Sequence, residues 1–182
     1  MGTEFLFTRE QAEKEASRLI ESEWNVPERG LPVDPIFIAE RLGVQVYSMD
    51  LKPEVDGMLK FDRVGEPPVI FIPNEAPKNR WRFSVAHELG HFVVQLRNDP
   101  SGSTDVPETD VFYRDPDSQS AKKPLEVFCN QFAAALLMPE NYVRALVAEG
   151  KTDLSLAHYF EVSLEAMTIR LKNLGLLAEA TR

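Results

Sequence analysis

Cysteine, histidine and long apolar runs are all scarce in this chain. Among 182 residues there is a single cysteine, Cys129. No disulfide can close within the chain, which suits a reducing, cytoplasmic setting. No stretch reaches the roughly 18 apolar residues of a membrane-spanning helix, and the N-terminus lacks the basic-then-apolar pattern of a secretory signal. Positive charge is also short. Twenty Lys and Arg stand against 29 Asp and Glu, a formal charge of −9. That balance works against non-specific nucleic-acid binding, which needs cations to neutralise phosphates. A hydrophobic share of 43% is enough for one sizeable core, and the length fits one domain with at most a small appendage.

Histidine occurs only three times, and two of the three lie four residues apart in Ala86-His87-Glu88-Leu89-Gly90-His91. On a helix, residues i and i+4 share a face, so His87 and His91 can turn two imidazoles towards one ion. Zn²⁺ takes imidazole nitrogens at about 2.0–2.1 Å in a tetrahedral shell. Glu88, rotated by about 100° from His87, is badly placed as a ligand but well placed to hold a proton of a water at the ion. Phe83, Val85, Leu89, Phe92, Val93 and Leu96 make this helix apolar nearly all round, which argues against two idle surface histidines. Gly90, between the ligands, lets another element approach closely.

The rest of the chain reads as strands leading into helices, an α+β order. Thr8 and Gln11 form a capping box before a helix ending near Trp24. Pro27 to Pro32 reads as a linker. Asp34 and Pro35 start a helix that Gly43 stops. Val44 to Tyr47 is a short strand; Met58 to Phe61 and Val69 to Ile72, joined through Gly65 to Pro68, read as an antiparallel hairpin or meander. Arg97 to Lys123 is polar and Asp-, Ser-, Pro- and Thr-rich, either a lid or a disordered loop. Pro124 opens a second strong helix that Pro139 stops. Three further helices follow, capped at Pro139, Asp153 and Ser163.

A catalytic zinc needs a third protein ligand. Cys129 lies on an apolar stripe and reads as core. His158 is far along the chain. A carboxylate remains, and Glu126 is the best placed, although a glutamate in a first helical turn is also favoured by the helix dipole. Asn130, four residues on, shares its face. It is either a partner of a ligand histidine, an outward cap or a core contact.

Ala86 to His91, taken with Glu126, Asn130, Phe132, Ala133, Ala134, Leu136, Leu137, Met138 and Pro139, resembles the paired motifs of the ImmA/IrrE family of zinc metallopeptidases. Cys129 stands where that pattern favours alanine. The resemblance runs over most of the chain from about residue 30. It implies His87, His91 and Glu126 as zinc ligands and Glu88 as general acid/base. It also implies a zincin-like fold. The chain is expected to divide into an N-terminal helix and linker over residues 1–30, a zincin-like catalytic core with a small antiparallel sheet over 31–140, and a C-terminal helical region over 141–182, packed into one compact unit. Tyr113, Arg80 and His158 are candidate donors to an oxyanion. The resemblance further implies hydrolysis of a protein, typically a helix-turn-helix repressor. The competing reading is a DNA- or protein-binding regulator with a zinc site and little peptidase activity. Leu154 to Leu174 superficially resembles a helix-turn-helix whose second helix carries Arg170, Lys172 and Glu165.

Overall fold

The computed structural model describes residues 7–53, 55–61, 66–98 and 119–177. Tyr113, the turn at Gly65 and most of the polar segment 97–123 lie outside the described residues.

The first helix, α1 (Arg9–Leu19), starts where Thr8 accepts a hydrogen bond from the Gln11 backbone N–H, which satisfies a donor the helix itself leaves open. It continues as one π-helical turn, Ile20–Trp24, that ends on Asn25 in the left-handed region. The segment expected to be a linker holds a short helix, α2 (Val26–Arg29), followed by a cis Leu31–Pro32 bond. Trp24 Nε1 donates to the Gly30 carbonyl at 2.8 Å, and the Arg29 guanidinium lies 4.0 Å from the Phe37 ring centre. These contacts give order to a stretch that composition alone marks as a break. In α3 (Pro35–Arg41), Asp34 accepts from the Ile36 and Phe37 N–H groups with proline at the start, as its sequence predicts.

Three strands follow: β1 (Gln45–Met49), β2 (Met58–Lys60) and β3 (Val69–Pro73). β2 and β3 pair antiparallel with Leu59 opposite Ile70, as expected. β1 pairs parallel to β3, with Gln45 opposite Val69, so the sheet is mixed, in the order β1-β3-β2. A meander would have put β1 beside β2. Instead the chain crosses over and leaves β2 as the edge nearest the histidine helix. Leu59, Ile70 and Ile72 are fully buried on the face that packs on that helix.

The histidine helix, α4 (Lys78–Asn98), and α5 (Gln119–Leu137) form the centre of the molecule. α5 begins before Pro124 rather than at it. Val85, Ala86 and Leu89 of α4 and Phe128, Phe132, Ala133 and Leu136 of α5 have no solvent exposure. Each large side chain buried in this way contributes about 1.5–3 kcal/mol. Gly90 sets the spacing: a Cβ there would sit 3.1 Å from the Cys129 Cα. The small pair Gly90 and Cys129 is what brings the two helices close enough to share a site. α1 packs on the other side of α5.

Three helices complete the chain: α6 (Glu140–Ala148), α7 (Asp153–Tyr159) and α8 (Leu164–Asn173). Thr152, not Asp153, is the cap of α7, its side chain accepting from the Ser155 N–H. Ser163 caps α8 as expected. Arg170 is 2% exposed; it donates to the Met138 carbonyl at the end of α5 and pairs with Glu13 of α1. At the turn between α7 and α8, Glu161 takes a positive φ and pairs with Lys78 and Arg82 of α4. The α7–α8 corner is thus clamped to the helix that carries both histidines. Among the described residues no helix is long and apolar enough to cross a membrane.

Candidate metal centre

Because α4 and α5 run antiparallel with Gly90 against Cys129, the His87 and His91 face of α4 meets the Glu126 end of α5. His87 Nε2 lies 3.3 Å from Glu126 Oε2, His91 Nε2 lies 3.3 Å from Glu126 Oε1, and the two imidazole Nε2 atoms are 3.2 Å apart. A tetrahedral ion with bonds near 2.0–2.1 Å has ligand–ligand edges of about 3.3 Å. The three donors therefore fit one divalent ion and leave a fourth position open.

Asn130 is the partner of a histidine. Its Oδ1 lies 3.0 Å from His87 Nδ1. With Nδ1 donating its proton to that oxygen, the lone pair of Nε2 points at the ion position.

Glu88 is 5% exposed, and its Oε2 has no hydrogen-bond partner among the described residues. Burial raises its pKa above the ordinary carboxylate range; the two histidines pull it down, Glu126 raises it, and the backbone of Leu59 in β2 pulls it down again. A buried carboxyl with one bare oxygen and a raised pKa is equipped to exchange a proton. Space for it comes from Gly57, where a Cβ would stand 3.0 Å from Glu88 Oε1. Nothing in the local sequence pattern around Asp56-Gly57 points to that role.

The three residues also contact one another directly. Burial works against a charge on His87, but its hydrogen bond to Glu126, the charges of Glu88 and Glu126, and Asn130 outweigh it and raise its pKa. Glu126 is held well below the usual carboxylate range, first by its contact with His87 and then by that with His91. Cys129 is fully buried, and burial pushes its thiol up, followed by repulsion from Glu126 and Glu88. It stays a protonated core residue, as its apolar stripe predicts.

The site opens into a cleft of about 790 Å³. Arg80 lines it, with Nε 4.0 Å from an Asp56 oxygen. His158 lies on the exposed side of α7 and is not among the cleft-lining residues. Tyr113 lies outside the described residues. The structure also bears on the helix-turn-helix reading. Arg170 is buried against Glu13 and Met138, so of the two cations expected on the second helix only Lys172 is exposed. The other exposed positions of α8 include Leu164, Glu165 and Ile169, a poor surface for phosphates.

No curated protein matches the chain. A solved structure entitled "Mycobacterium tuberculosis transcriptional regulator" shares the fold with a TM-score of 0.58 at 16% identity; the likeness covers 90% of this chain and 46% of that one. The chain thus spans less than half the length of that protein. The peptidase family described as the IrrE N-terminal-like domain matches residues 39–172, a span that holds His87, Glu88, His91 and Glu126 together. The chain belongs to that peptidase family.

Proposed function

We propose that this domain is a zinc-dependent endopeptidase that cuts an exposed segment of a regulatory protein. The observation that carries the reading is the triangle of His87, His91 and Glu126 donor atoms, with 3.2–3.3 Å edges, beside a buried carboxyl with a bare oxygen. A nitrogen-rich set of two imidazoles and one carboxylate suits Zn²⁺ over Mg²⁺ or Ca²⁺, which favour oxygen donors. Bound there, zinc would polarise the scissile carbonyl and make a water acidic enough to attack near neutral pH.

The chain's own residues do the rest. Glu88 takes the proton of the attacking water and returns it to the leaving amine. Gly57 and the backbone of Leu59 hold that carboxyl in place. Asn130 fixes the His87 tautomer. Arg80, on the cleft wall, is a candidate for balancing charge on an oxyanion. β2 is an edge strand, and Val55, Asp56 and Gly57 just before it line the cleft. An extended polypeptide fits along that edge by strand addition.

The regulatory substrate rests on the family resemblance, with a helix-turn-helix repressor as its expected form. The test is co-incubation of the metal-loaded protein with repressors encoded beside it, followed by mass spectrometry. Cleavage by the parent and none by Glu88→Gln is the expected result. Cleavage at an equal rate by Glu88→Gln overturns the assignment.

A further inference from the structure

The cleft is far larger than an ion and a water need, a water occupying about 30 Å³ in the liquid. Its two ends differ. The antiparallel pairing of α4 with α5 that sets His87 against Asn130 sets Phe83 near Ala134, one helical turn, about 5.4 Å, from the ligands. Beyond that turn Met138 and Val162, both buried, line the cleft with Ala166 and Ile169 of α8, and Ser163, Glu165 and Asn173 of the same segment also reach the lining. Ile169 is 53% exposed although it is a large aliphatic side chain. The wall that carries it is fixed from behind. Arg170, the next residue, is tied to Met138 and Glu13, and Glu161 at the head of α8 is tied to Lys78 and Arg82 of α4.

We propose that Ala166 and Ile169 of α8 set substrate specificity: with Phe83, Ala134, Met138 and Val162 they form a preorganised chamber for one large apolar side chain beside the scissile bond. This rests on the peptidase reading and deepens it by naming the class of residue at the cut. The occupant follows from position. The chamber is continuous with the ion site, so what fills it is joined covalently to the carbonyl under attack. Six of the side chains it presents are apolar, so a leucine-, methionine- or phenylalanine-sized group gains by leaving water against them. A helix pair of helix-turn-helix form thereby serves as a wall of the cleft, with its second helix facing the substrate.

The test separates binding from turnover. Fluorescein-labelled decapeptides of Gly, Ala and Ser, differing only in a central Leu, Phe or Ser, are titrated by anisotropy against zinc-loaded Glu88→Gln protein. The Leu and Phe peptides are expected to bind tenfold or more tightly than the Ser peptide. Adding Ile169→Ser at the exposed rim removes most of that preference. Adding Ala166→Phe, which fills the chamber, favours the Ser peptide. Leu154→Ser, at an exposed position of α7 outside the cleft, keeps the preference and serves as control, with circular dichroism reporting the fold of each variant. Equal affinities for the three peptides, or a preference that survives both α8 changes, overturns the proposal. Digestion of the same peptides by protein with Glu88 intact reports separately on the peptidase reading. Peptides bound with the predicted preference, when neither they nor the co-incubated repressors are cut, would refute hydrolysis and leave the chamber standing.

Discussion

The two ends of the cleft are built on opposite physical terms. At one end four titratable side chains are packed within a few ångströms, two imidazoles and two carboxylates, each shifted or paired by its neighbours. At the other end, a turn away, Phe83, Ala134, Met138, Val162, Ala166 and Ile169 form the apolar part of a lining to which Ser163, Glu165 and Asn173 also belong. The polar end is costly to bury unless an ion and a substrate complete it. The apolar end costs little to bury and gains from being filled. The first can move protons and hold a metal; the second can only choose what lies beside the first. Changes at the polar end should therefore alter rate and metal content. Changes at the apolar end should alter discrimination between substrates.

The largest expected effect breaks the chemistry alone. Glu88→Gln keeps the shape of the carboxyl but cannot take a proton, so peptide hydrolysis should fall about 10³-fold while metal content stays at the parent level. Next is Gly57→Ala. The added methyl would stand 3.0 Å from Glu88 Oε1 and displace it, and a shift of about 1 Å can cost up to about 10²-fold in rate. Steady-state kinetics should place that loss in kcat, again with metal retained; an unchanged kcat would remove Gly57 from the account of Glu88. Asn130→Ala frees the His87 ring, and zinc affinity measured by competition with a chelator should weaken about 10–100-fold. Gly90→Ala puts a methyl 3.1 Å from the Cys129 backbone, which cannot rotate away. A loss of about 1–3 kcal/mol in urea unfolding is expected, with no change if the two helices can part freely. The smallest effect belongs to the apolar end: Ile169→Ser should leave metal content intact and change substrate preference about tenfold.

The residues that proved legible in the sequence are those whose signal is local. Thr8, Asp34 and Ser163 cap helices as their spacing indicates, and the i, i+4 histidines share a face as any helix requires. Glu126 was less so. Periodicity placed it on a free face, and the paired-motif resemblance singled it out; the structure brings it to 3.3 Å from both imidazoles. Gly90 announced a close approach, and Cys129 is what it meets. What local pattern did not carry was long-range. The parallel pairing of β1 with β3 depends on where the chain crosses, not on the alternation within Gln45–Met49. The α7–α8 corner has the local form of a DNA-reading unit. Its place as a cleft wall depends on Arg170 reaching Glu13, 157 residues earlier. The helix-turn-helix reading put Arg170 on a DNA-reading helix, whereas its fold partners bury it.

The central claim is that His87, His91 and Glu126 together hold one catalytic ion. Metal content per chain, measured by plasma mass spectrometry after zinc loading and desalting, tests it most directly. The parent and an exposed-site control, Leu154→Ser, should each carry one equivalent of zinc. His91→Ala and Glu126→Ala should carry almost none while circular dichroism shows both still folded. Retention of a full equivalent by folded Glu126→Ala would contradict a two-helix metal centre.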